Sequence, residues 1–414
     1  MIDHPPNPPA AFIDRGRLLT LDALRGVAVM AILLANMPGF ALPDPAYSNP
    51  LAWGGERPAD IAAWLLTETF INGRMRGLFS MLFGASMLLI LHRADDAGEN
   101  GAALHLRRMA VLFVLGMIHL SFIWTGDILA HYALAGVIAL GFVGLKARTL
   151  MVTAVAMVVL SMAMAGLECF GLFAASARNT PQAVALWDAY QAAFGTPGVK
   201  ILQPEITAMR GSWIDATRFR LANNGNPLFD LISIGPETLS AMFLGMAALR
   251  SGFLSGEWPR AQYRRIATLC LGISIPAYAS MAAFVMMSGY DVRAVALSQL
   301  LLQAPVRLIG TVGYAALILL LLHPGGWWTT RIAAAGRMAF TNYIATSIVM
   351  TFLFYGHGLG QFARWDRATI YVLVPIVWAG MLLWSKPWLD HFGQGPLERL
   401  WRLAARGQVG GTRK

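Results

Sequence analysis

The chain has few charged residues and only two cysteines. Of its 414 residues, 13% are charged, which is about half the share found in a typical soluble protein. So few charges cannot cover a surface that faces water, and this excludes an ordinary soluble enzyme. Cys169 and Cys270 each lie inside an apolar run, which excludes a disulfide framework and a cysteine-based metal site.

The chain also lacks the motifs of several soluble catalysts. It contains no phosphate-binding glycine-rich loop, no Gly-x-Ser-x-Gly elbow and no His-Glu-x-x-His pair, and we expect no bound metal. The net charge of +10 comes mostly from arginines in short loops, where they orient a membrane protein, so we expect no nucleic-acid partner. The first apolar run begins near Leu18 without a small-residue cleavage site, which predicts a retained span rather than a signal peptide.

What the chain does contain is a series of long apolar runs, and 57% of its residues are hydrophobic. A helix needs about 20 mostly apolar residues to cross a membrane. The runs therefore predict an all-α fold, a polytopic transmembrane helical bundle of about ten spans. The stretch Ile61–Gly73 is too short to cross alone, and we expect an interfacial or re-entrant helix there that runs into the second span. The predicted spans are Leu18–Leu42, Gly77–Leu91, Met109–Trp124, Ile128–Leu145, Leu150–Ala175, Pro227–Leu249, Ile266–Ser288, Leu297–Leu322, Ile332–Tyr355 and Ile370–Trp384.

The basic residues predict the orientation, because lysine and arginine gather on the cytoplasmic side of a membrane. With the amino terminus inside, the short outer loops carry only Arg57, Arg293, Arg364 and Arg367. We therefore predict a cytoplasmic amino-terminal tail (1–17), a transmembrane domain (18–388) and a basic cytoplasmic carboxy-terminal tail (389–414). The inner loops and tails carry Arg15, Arg17, Arg93, Arg107, Arg108, Lys146, Arg148, Arg250, Arg260, Arg264, Arg265, Arg331, Lys386, Arg399, Arg402 and Arg406.

Residues 176–225 form the longest hydrophilic segment, and the span count places it outside the membrane. Apolar side chains recur there at helical spacing, which predicts two short amphipathic helices on the outer surface. These side chains are Val184, Trp187, Tyr190 and Phe194, then Ile206, Met209 and Trp213. The segment is either a connector that packs on the membrane surface or a lid over an outward-facing site.

Polar side chains within the first span form a candidate site, because an ionisable group in the bilayer costs about 2.5–3.5 kcal/mol. Asp22 and Arg25 are spaced i and i+3, so they share a helix face and can pair. Asn36 follows three turns along the same face. Arg25 alone could extend to the inner headgroups, but Asp22 gains nothing from anionic lipid. We therefore favour a bound partner or a contact between helices.

A second cluster lies at a short hairpin. The turn Trp124–Gly126 forces two helices side by side, which brings His119 and Asp127 within hydrogen-bond reach. Asp127 and His131 are spaced i and i+4, so we expect them on one helix face. A carboxylate that orients an imidazole is the minimal general-base arrangement. The alternative is a polar clasp between helices that carries out no chemistry.

Later spans carry further polar groups, and Pro236 and Pro305 interrupt the helical backbone next to them, which opens carbonyl groups toward a cavity. So many ionisable groups in one bundle indicate a hydrated cavity, although ion pairs between helices would explain part of the set. The polar residues of these later spans are Asp230, Glu237, Gln299, Gln303, Arg307, Arg337 and Asn342. The candidate substrate or cavity residues are His131, Glu237, Arg307 and Asn342.

Several motifs together resemble one known family. They are LDALRG at 21–26 followed by Asn36, RGLFSMLFG at 76–84, GMIH at 116–119 with GDIL at 126–129, GRMAFTNY at 336–343 and GPLERLWR at 395–402. In these motifs the chain resembles the YeiB-like family of bacterial inner-membrane proteins over nearly its whole length. That family is similar, more distantly, to the transmembrane acyltransferases, which include sugar O-acetyltransferases and heparan glucosaminide N-acetyltransferase. The segment 236–240 is similar to the glucosaminide enzymes.

The resemblance implies transfer of an acyl group, most simply acetyl, from cytoplasmic acyl-CoA to an extracytoplasmic or membrane-embedded acceptor. Arg25 and Arg337 are then expected to bind the CoA phosphates, and Asp22, which pairs with Arg25, belongs to the same cofactor-binding site. The O-acetyltransferases carry a histidine eleven residues after the arginine, where this chain has Asn36. Because an amide cannot act as a base, we expect His119, oriented by Asp127, to deprotonate the acceptor and Asn36 to bind the oxyanion.

A function without acyl transfer is the alternative. The same polar groups and proline-broken spans could form the path of a transporter or a lipid-handling protein. The two halves of the sequence show no convincing repeat, which weakly disfavours the common inverted-repeat transporters. The expected partners are membrane lipid and a small-molecule, glycan or lipid acceptor. A homodimer is compatible with the sequence, which does not determine the oligomeric state.

Overall fold

The computed structural model describes residues 13–14, 17–223 and 225–406. Most of the predicted amino-terminal tail (1–17) and the last eight residues of the basic tail lie outside the described residues. The described chain is all-α, as predicted, and its strands are limited to the antiparallel pair β1 (Ile13–Asp14) and β2 (Arg17–Leu18). The helices are α1 (Leu19–Ala41), α2 (Pro45–Ser48), α3 (Pro58–Phe70), α4 (Arg74–Asp96), α5 (Gly101–Phe122), α6 (Leu129–Leu140), α7 (Ala147–Ser176), α8 (Pro181–Phe194), α9 (Val199–Arg210), α10 (Trp213–Asn223), α11 (Pro227–Ser233), α12 (Gly235–Arg250), α13 (Arg260–Met287), α14 (Val292–Ala296), α15 (Gln303–Leu321), α16 (Trp327–Arg337), α17 (Ala339–Phe354), α18 (Arg367–Ile370), α19 (Leu373–Phe392) and α20 (Pro396–Arg406).

The lengths and compositions of these helices are those of a multi-pass membrane protein. Within the described residues, seven segments are long and apolar enough to cross a membrane: 19–41, 58–96, 101–122, 147–176, 260–287, 292–321 and 367–392. An eighth candidate consists of α11 and α12, which meet at a bend of 70°. The two other predicted spans correspond to the short apolar helices α6 and α17. Each of the ten predicted runs is therefore helical, but not each is long enough to cross alone.

Ile61–Gly73 comprises most of α3 and a short turn that leads into α4, as predicted, and α3 and α4 together form one candidate span of 39 residues. Two other predicted segments differ from the observed helices. The predicted span Ile128–Leu145 contains a helix of only 12 residues, about 18 Å long. The predicted span Ile332–Tyr355 is broken at Met338, where φ is −110° and ψ is 27°. Hydropathy measures how apolar a run is and does not register such local breaks.

The hydrophilic segment 176–225 folds into three helices, α8 to α10, rather than the predicted two. Glycines occupy the two connections, at 195 and 198 and then at 211, where they interrupt the helices. Leu202 and Ile206 of α9 are buried in the same apolar cluster as Met37 and Phe40 of α1. The segment is thus packed on the end of the bundle instead of extending away from it.

Close backbone contacts hold the centre of the bundle together. A Cβ atom on Gly84 of α4 would overlap the carbonyl oxygen of Met242 of α12, and one on Gly245 would overlap the carbonyl oxygen of Met81. Small residues permit this approach, and in a membrane such packing replaces the hydrophobic effect as the force between helices. The main core cluster surrounds these two helices.

Candidate functional site

A cavity with a volume of about 420 Å³ lies at the end of the bundle that the positive-inside rule assigns to the cytoplasm. Side chains such as Phe79, Phe83 and Met109 form an apolar part of its wall. The rest of the wall is strongly basic. Its arginines are Arg25, Arg93, Arg108, Arg337, Arg402 and Arg406, and its acidic residues are Asp22 and Glu398. The cavity therefore brings together the three residues of the predicted cofactor-binding site, Asp22, Arg25 and Arg337, and it suits an anionic ligand that has an apolar part.

Two side chains hold Arg25 in the cavity wall. Its guanidinium donates to Asp22 Oδ1 at 2.6 Å, as the i and i+3 spacing predicts, and to Ser86 Oγ of α4 at 2.6 Å. The Arg25 side chain is 23% exposed, whereas that of Asp22 is 6% exposed. A guanidinium that is oriented in this way and still accessible is suited to bind phosphate oxygens.

Helix α20 forms one wall of the cavity and is bonded to two other helices. The Glu398 carboxylate accepts hydrogen bonds from the backbone amides of Phe340 and Thr341 at 2.9 and 3.1 Å, at the amino-terminal end of α17. These amides lack partners within their own helix, so Glu398 acts as a cap from outside it. Trp401 donates to the carbonyl oxygen of Arg108 at 2.9 Å. The Arg108 guanidinium lies 4.0 Å from the centre of the Trp401 ring.

A layer of apolar side chains separates this cavity from the predicted general base. Met109 lines the cavity, whereas His119 lies ten residues further along α5, which is about 15 Å. The buried residues of the layer are Val29, Met109, Leu112, Leu129, Ala133, Ala339 and Tyr343. The cavity and the His119 region are thus two separate sites in this structure.

His119 and Asp127 form a buried pair, as the short hairpin predicts. His119 Nδ1 lies 2.8 Å from Asp127 Oδ1, and each side chain is 1% exposed. The other carboxylate oxygen accepts from the backbone amide of Ala130 at 2.9 Å and so caps α6. With the proton on Nδ1, the free lone pair of a neutral imidazole is on Nε2. This Nε2 atom has no hydrogen-bond partner among the described residues, which is the arrangement of a general base.

Aromatic rings surround His119. The ring centres of Tyr343 and Trp124 lie 5.2 and 6.2 Å from the imidazole centre. Asn36, the predicted oxyanion donor, lies beside Tyr343 on a void of about 10 Å³ that Phe40 also lines. A void of this size holds about one water molecule. An acceptor can therefore bind here only if Tyr343 or its neighbours move.

Segment 176–225 covers the end of α5 that carries His119. Trp213 donates to the carbonyl oxygen of Phe122 at 3.0 Å. Arg220, which is fully buried, donates to the carbonyl oxygens of Ser121 and Phe122 at 3.1 and 3.2 Å. These carbonyls end a helix and have no intrahelical partners. These bonds attach segment 176–225 to the helix end next to His119.

His131 does not join the His119–Asp127 pair, so the expectation of a shared helix face was wrong. Helix α6 begins at Leu129, and Asp127 lies before it as a cap. His131 instead places Nε2 2.8 Å from Thr238 Oγ1 of α12. The i and i+4 rule applies only when both residues are inside the helix.

Glu237 and Arg307, two of the candidate substrate or cavity residues, form an ion pair that Arg76 joins. The two oxygens of the Glu237 carboxylate accept from Arg76 at 2.9 Å and from Arg307. Arg307 also donates to the carbonyl oxygen of Gln299 at 2.9 Å. The three charged groups surround a second void of about 10 Å³, close to the bend between α11 and α12. They form a buried ion cluster that does not line the large cavity.

Asn342 has a structural role, contrary to its prediction as a cavity residue. Its amide donates to the carbonyl oxygen of Ala335 and to Ser385 Oγ at 3.0 and 3.2 Å. Its oxygen accepts from Trp384 Nε1 at 2.9 Å. These bonds use both amide hydrogens and link α16, α17 and α19. Arg337, five residues earlier, lines the cavity as predicted.

Four residues at these sites were not identified from the sequence: Arg76, Ser86, Tyr343 and Glu398. Their partners are distant in the chain, so no local spacing points to them. A signal was nevertheless present, because three of them lie within motifs that carry the family resemblance. Arg76 opens the motif at 76–84, Tyr343 ends the one at 336–343, and Glu398 is in the one at 395–402.

Comparison with known proteins identifies relatives over nearly the whole chain. Residues 248–408 match the family described as "Protein of unknown function (DUF418)". The chain is 32% identical over 403 residues to "Uncharacterized protein YeiB" of Escherichia coli (strain K12), covering 93% of this chain and 95% of YeiB. It is also 32% identical over 403 residues to "Uncharacterized protein YxaH" of Bacillus subtilis (strain 168), covering 94% of each. A shorter match, 37% identical over 131 residues, covers 31% of this chain and 35% of the "Uncharacterized 39.9 kDa protein in amylase 3'region" of Bacillus acidopullulyticus.

Proposed function

The chain belongs to the YeiB-like family of bacterial membrane proteins, and we propose that it is an acyltransferase of the inner membrane. In this proposal an acyl group, most simply acetyl, passes from cytoplasmic acyl-CoA to a hydroxyl or amine of a glycan, lipid or small-molecule acceptor. The observation that carries the proposal is the cavity of about 420 Å³, which combines six arginines with an apolar wall. Acyl-CoA has the matching chemistry, because it joins several phosphates to a less polar arm that ends in the thioester.

The donor phosphates bind at the arginines of the cavity. Arg25 is the best-positioned of them, since Asp22 and Ser86 fix its guanidinium. Arg337 lines the same cavity from α16. One guanidinium group can donate two parallel hydrogen bonds to two oxygens of a phosphate, which the single ammonium group of a lysine cannot do. The apolar wall at Phe79 and Phe83 then accommodates the arm of the donor.

The transfer itself takes place at His119. Its Nε2 accepts the proton of the acceptor hydroxyl or amine, and the acceptor atom attacks the thioester carbonyl. The carbon–sulfur bond breaks, and His119 passes the proton that it accepted to the CoA thiolate, so the products are the acylated acceptor and CoA and the imidazole is neutral again. Asn36 donates a hydrogen bond to the developing oxyanion. The apolar layer around Met109 and Tyr343 must open for the thioester to reach His119.

Binding of acetyl-CoA to the purified protein tests the donor site. We expect Arg25→Ala to weaken binding by about tenfold to a hundredfold, since a hydrogen bond to a charged group contributes about 1.5–3 kcal/mol. Arg25→Lys should lose less, because it keeps the charge. Arg264, an exposed arginine of α13, provides the matched control, and Arg264→Ala should bind as wild type. Equal affinity in wild type and Arg25→Ala would reject Arg25 as a phosphate ligand.

A transport or lipid-handling function is the second candidate, and one observation favours it. Charged groups at a broken span are typical of substrate paths in transporters, and Glu237 with Arg76 and Arg307 lies close to the 70° bend. Co-purified CoA separates the two functions, because a transporter of other solutes has no reason to retain it. Absence of CoA binding and of acyl transfer, together with solute uptake that Glu237→Gln abolishes, would favour transport.

A further inference from the structure

We propose that α20 is a membrane-surface helix that binds anionic phospholipids of the leaflet next to the arginine cavity. This inference does not depend on acyl transfer, because it concerns the outward face of α20 and not the ligand of the cavity. It rests on three observations. The exposed side of the helix carries leucines beside an arginine, the helix is bonded across the ends of other helices, and its sequence has more basic than acidic residues.

The exposed side of α20 combines apolar and basic residues. Leu400 and Leu403 are 51% and 40% exposed, and at i and i+3 they share one face of the helix. Arg399 is exposed beside them. Large exposed leucines next to arginine are the pattern of a helix that lies in the membrane interface, with its apolar side in the acyl chains. A soluble phosphate compound has no apolar part to cover these leucines, whereas a phospholipid does.

The attachments of α20 place it across the ends of the spans. Trp401 bonds to the carbonyl oxygen of Arg108 near the beginning of α5, and Glu398 caps α17. Arg406 lies 3.7 Å from Glu99 in the connection between α4 and α5. The helix has 11 residues, about 16 Å in length, which is too short to cross a bilayer. It therefore lies at the level of the headgroups.

The positive charge of α20 favours lipids with anionic headgroups. Its sequence has three arginines, Arg399, Arg402 and Arg406, and a single acid, Glu398. Glu398 is directed at the α17 backbone, and Arg402 and Arg406 line the cavity, so the outward side of the helix carries the positive charge of Arg399. A basic group near an anionic membrane surface gains about 1 kcal/mol, and this gain falls with salt. Zwitterionic headgroups provide no such attraction.

The test measures binding of a fluorescent phosphatidylglycerol and a fluorescent phosphatidylcholine to the full-length protein in neutral detergent micelles. We expect wild type to prefer phosphatidylglycerol at low salt and to lose the preference at high salt. Arg399→Gln should reduce the preference roughly fivefold, which is the effect of one basic group at an anionic surface. Arg399→Glu should reduce it further. Neither variant changes a residue that lines the cavity.

The matched control is Arg264→Gln, because Arg264 is an exposed arginine of α13, and this variant should keep the preference. A second measurement uses the variant Leu403→Cys in a chain that also carries Cys169→Ala and Cys270→Ala, so that position 403 has the only thiol. Its reaction with a water-soluble maleimide should be slower in vesicles that contain phosphatidylglycerol than in pure phosphatidylcholine. Equal affinity for the two lipids, an equal loss in Arg264→Gln, or equal reactivity of the cysteine in both vesicles would overturn the proposal.

Discussion

Gly26 of α1 and Gly336 of α16 face each other in backbone contact. A Cβ atom on Gly336 would overlap the carbonyl oxygen of Asp22, and one on Gly26 would overlap the carbonyl oxygen of Ile332. The contact determines the composition of the cavity wall, because Arg25 precedes one glycine and Arg337 follows the other. Two small residues at a helix crossing thus place two arginines from distant parts of the chain around one cavity.

Alanine at either glycine should destabilise this crossing. We expect Gly336→Ala and Gly26→Ala to cost about 1–3 kcal/mol, as overpacking of a tight contact typically does, and to lower the melting temperature in detergent. Gly380 of α19 is the matched control, since a Cβ atom there meets nothing within 4 Å. Gly380→Ala should be neutral or slightly stabilising, because alanine favours a helix over glycine. Equal melting temperatures for all three variants would show that α1 and α16 can separate without cost.

Local pairs could be predicted from the sequence, because helix geometry fixes short spacings. Asp22 with Arg25 follows from one turn of helix, and His119 with Asp127 from a hairpin that is too short to allow another arrangement. The expectation for His131 failed for a local reason as well, since it placed the start of α6 two residues too early.

Contacts between distant helices could not be predicted in this way. Ser86 is 61 residues from Arg25, and Arg76 is 161 residues from Glu237. Apolar periodicity shows that a run is a helix but not which helix it packs against. The glycines that decide the packing, such as Gly336, carry no hydropathy signal, and a break such as the one at Met338 does not alter the apolar content of a run. For these features the resemblance motifs were more informative than the spacing.

The next prediction concerns the side of the membrane on which three of the connections between helices lie. Reporter fusions at Gly98, between α4 and α5, and at Gly144, between α6 and α7, should be cytoplasmic, because Arg93 and Arg107 flank the first connection and Lys146 and Arg148 follow Gly144 in the second. A fusion at Gly195, between α8 and α9, should be extracytoplasmic. Fusions at Gly98 and Gly144 that report opposite sides would mean that the short helix α6 does not complete a crossing with α5.

Two carboxylates meet where segment 176–225 packs on the end of α1. The backbone amide of Asp44 donates to both carboxylate oxygens of Glu205, at 3.1 and 3.2 Å. Burial, together with the carboxylate of Asp44, raises the pKa of Glu205 to about 9. Burial also raises the pKa of Asp44. Tyr355 and Arg220 are the other ionisable groups near this pair. Glu205 is therefore protonated in the folded protein at neutral pH.

The attachment of α9 should weaken as the pH rises. The pKa of Glu205 is higher in the folded than in the unfolded chain, so its contribution is complete below the ordinary carboxyl range and is lost as the pH passes about 9. We expect the melting temperature to fall from about pH 5 to about pH 9, and Glu205→Gln to flatten this dependence. Asp188→Asn, at an exposed position of α8, is the control and should keep the wild-type slope. An unchanged slope in Glu205→Gln would assign the dependence to other groups.

The final prediction concerns the buried imidazole with the free Nε2. If His119 is the general base, His119→Gln keeps the size and a hydrogen bond to Asp127 but removes the nitrogen that accepts the proton. Acyl transfer from labelled acyl-CoA in vesicles, measured per folded protein, should then fall by about 10²- to 10⁴-fold, while acetyl-CoA binding is retained. Asp127→Asn should be milder, because it misorients the imidazole without removing it.

His131→Gln is the matched control, since His131 is also buried but bonds to Thr238 instead of a carboxylate, and it should stay near wild type. A purely structural clasp gives the reverse pattern, in which His119→Gln transfers acyl groups normally and only His119→Leu loses folded protein. That pattern would reject the base and leave the arginine cavity as a binding site without adjacent chemistry.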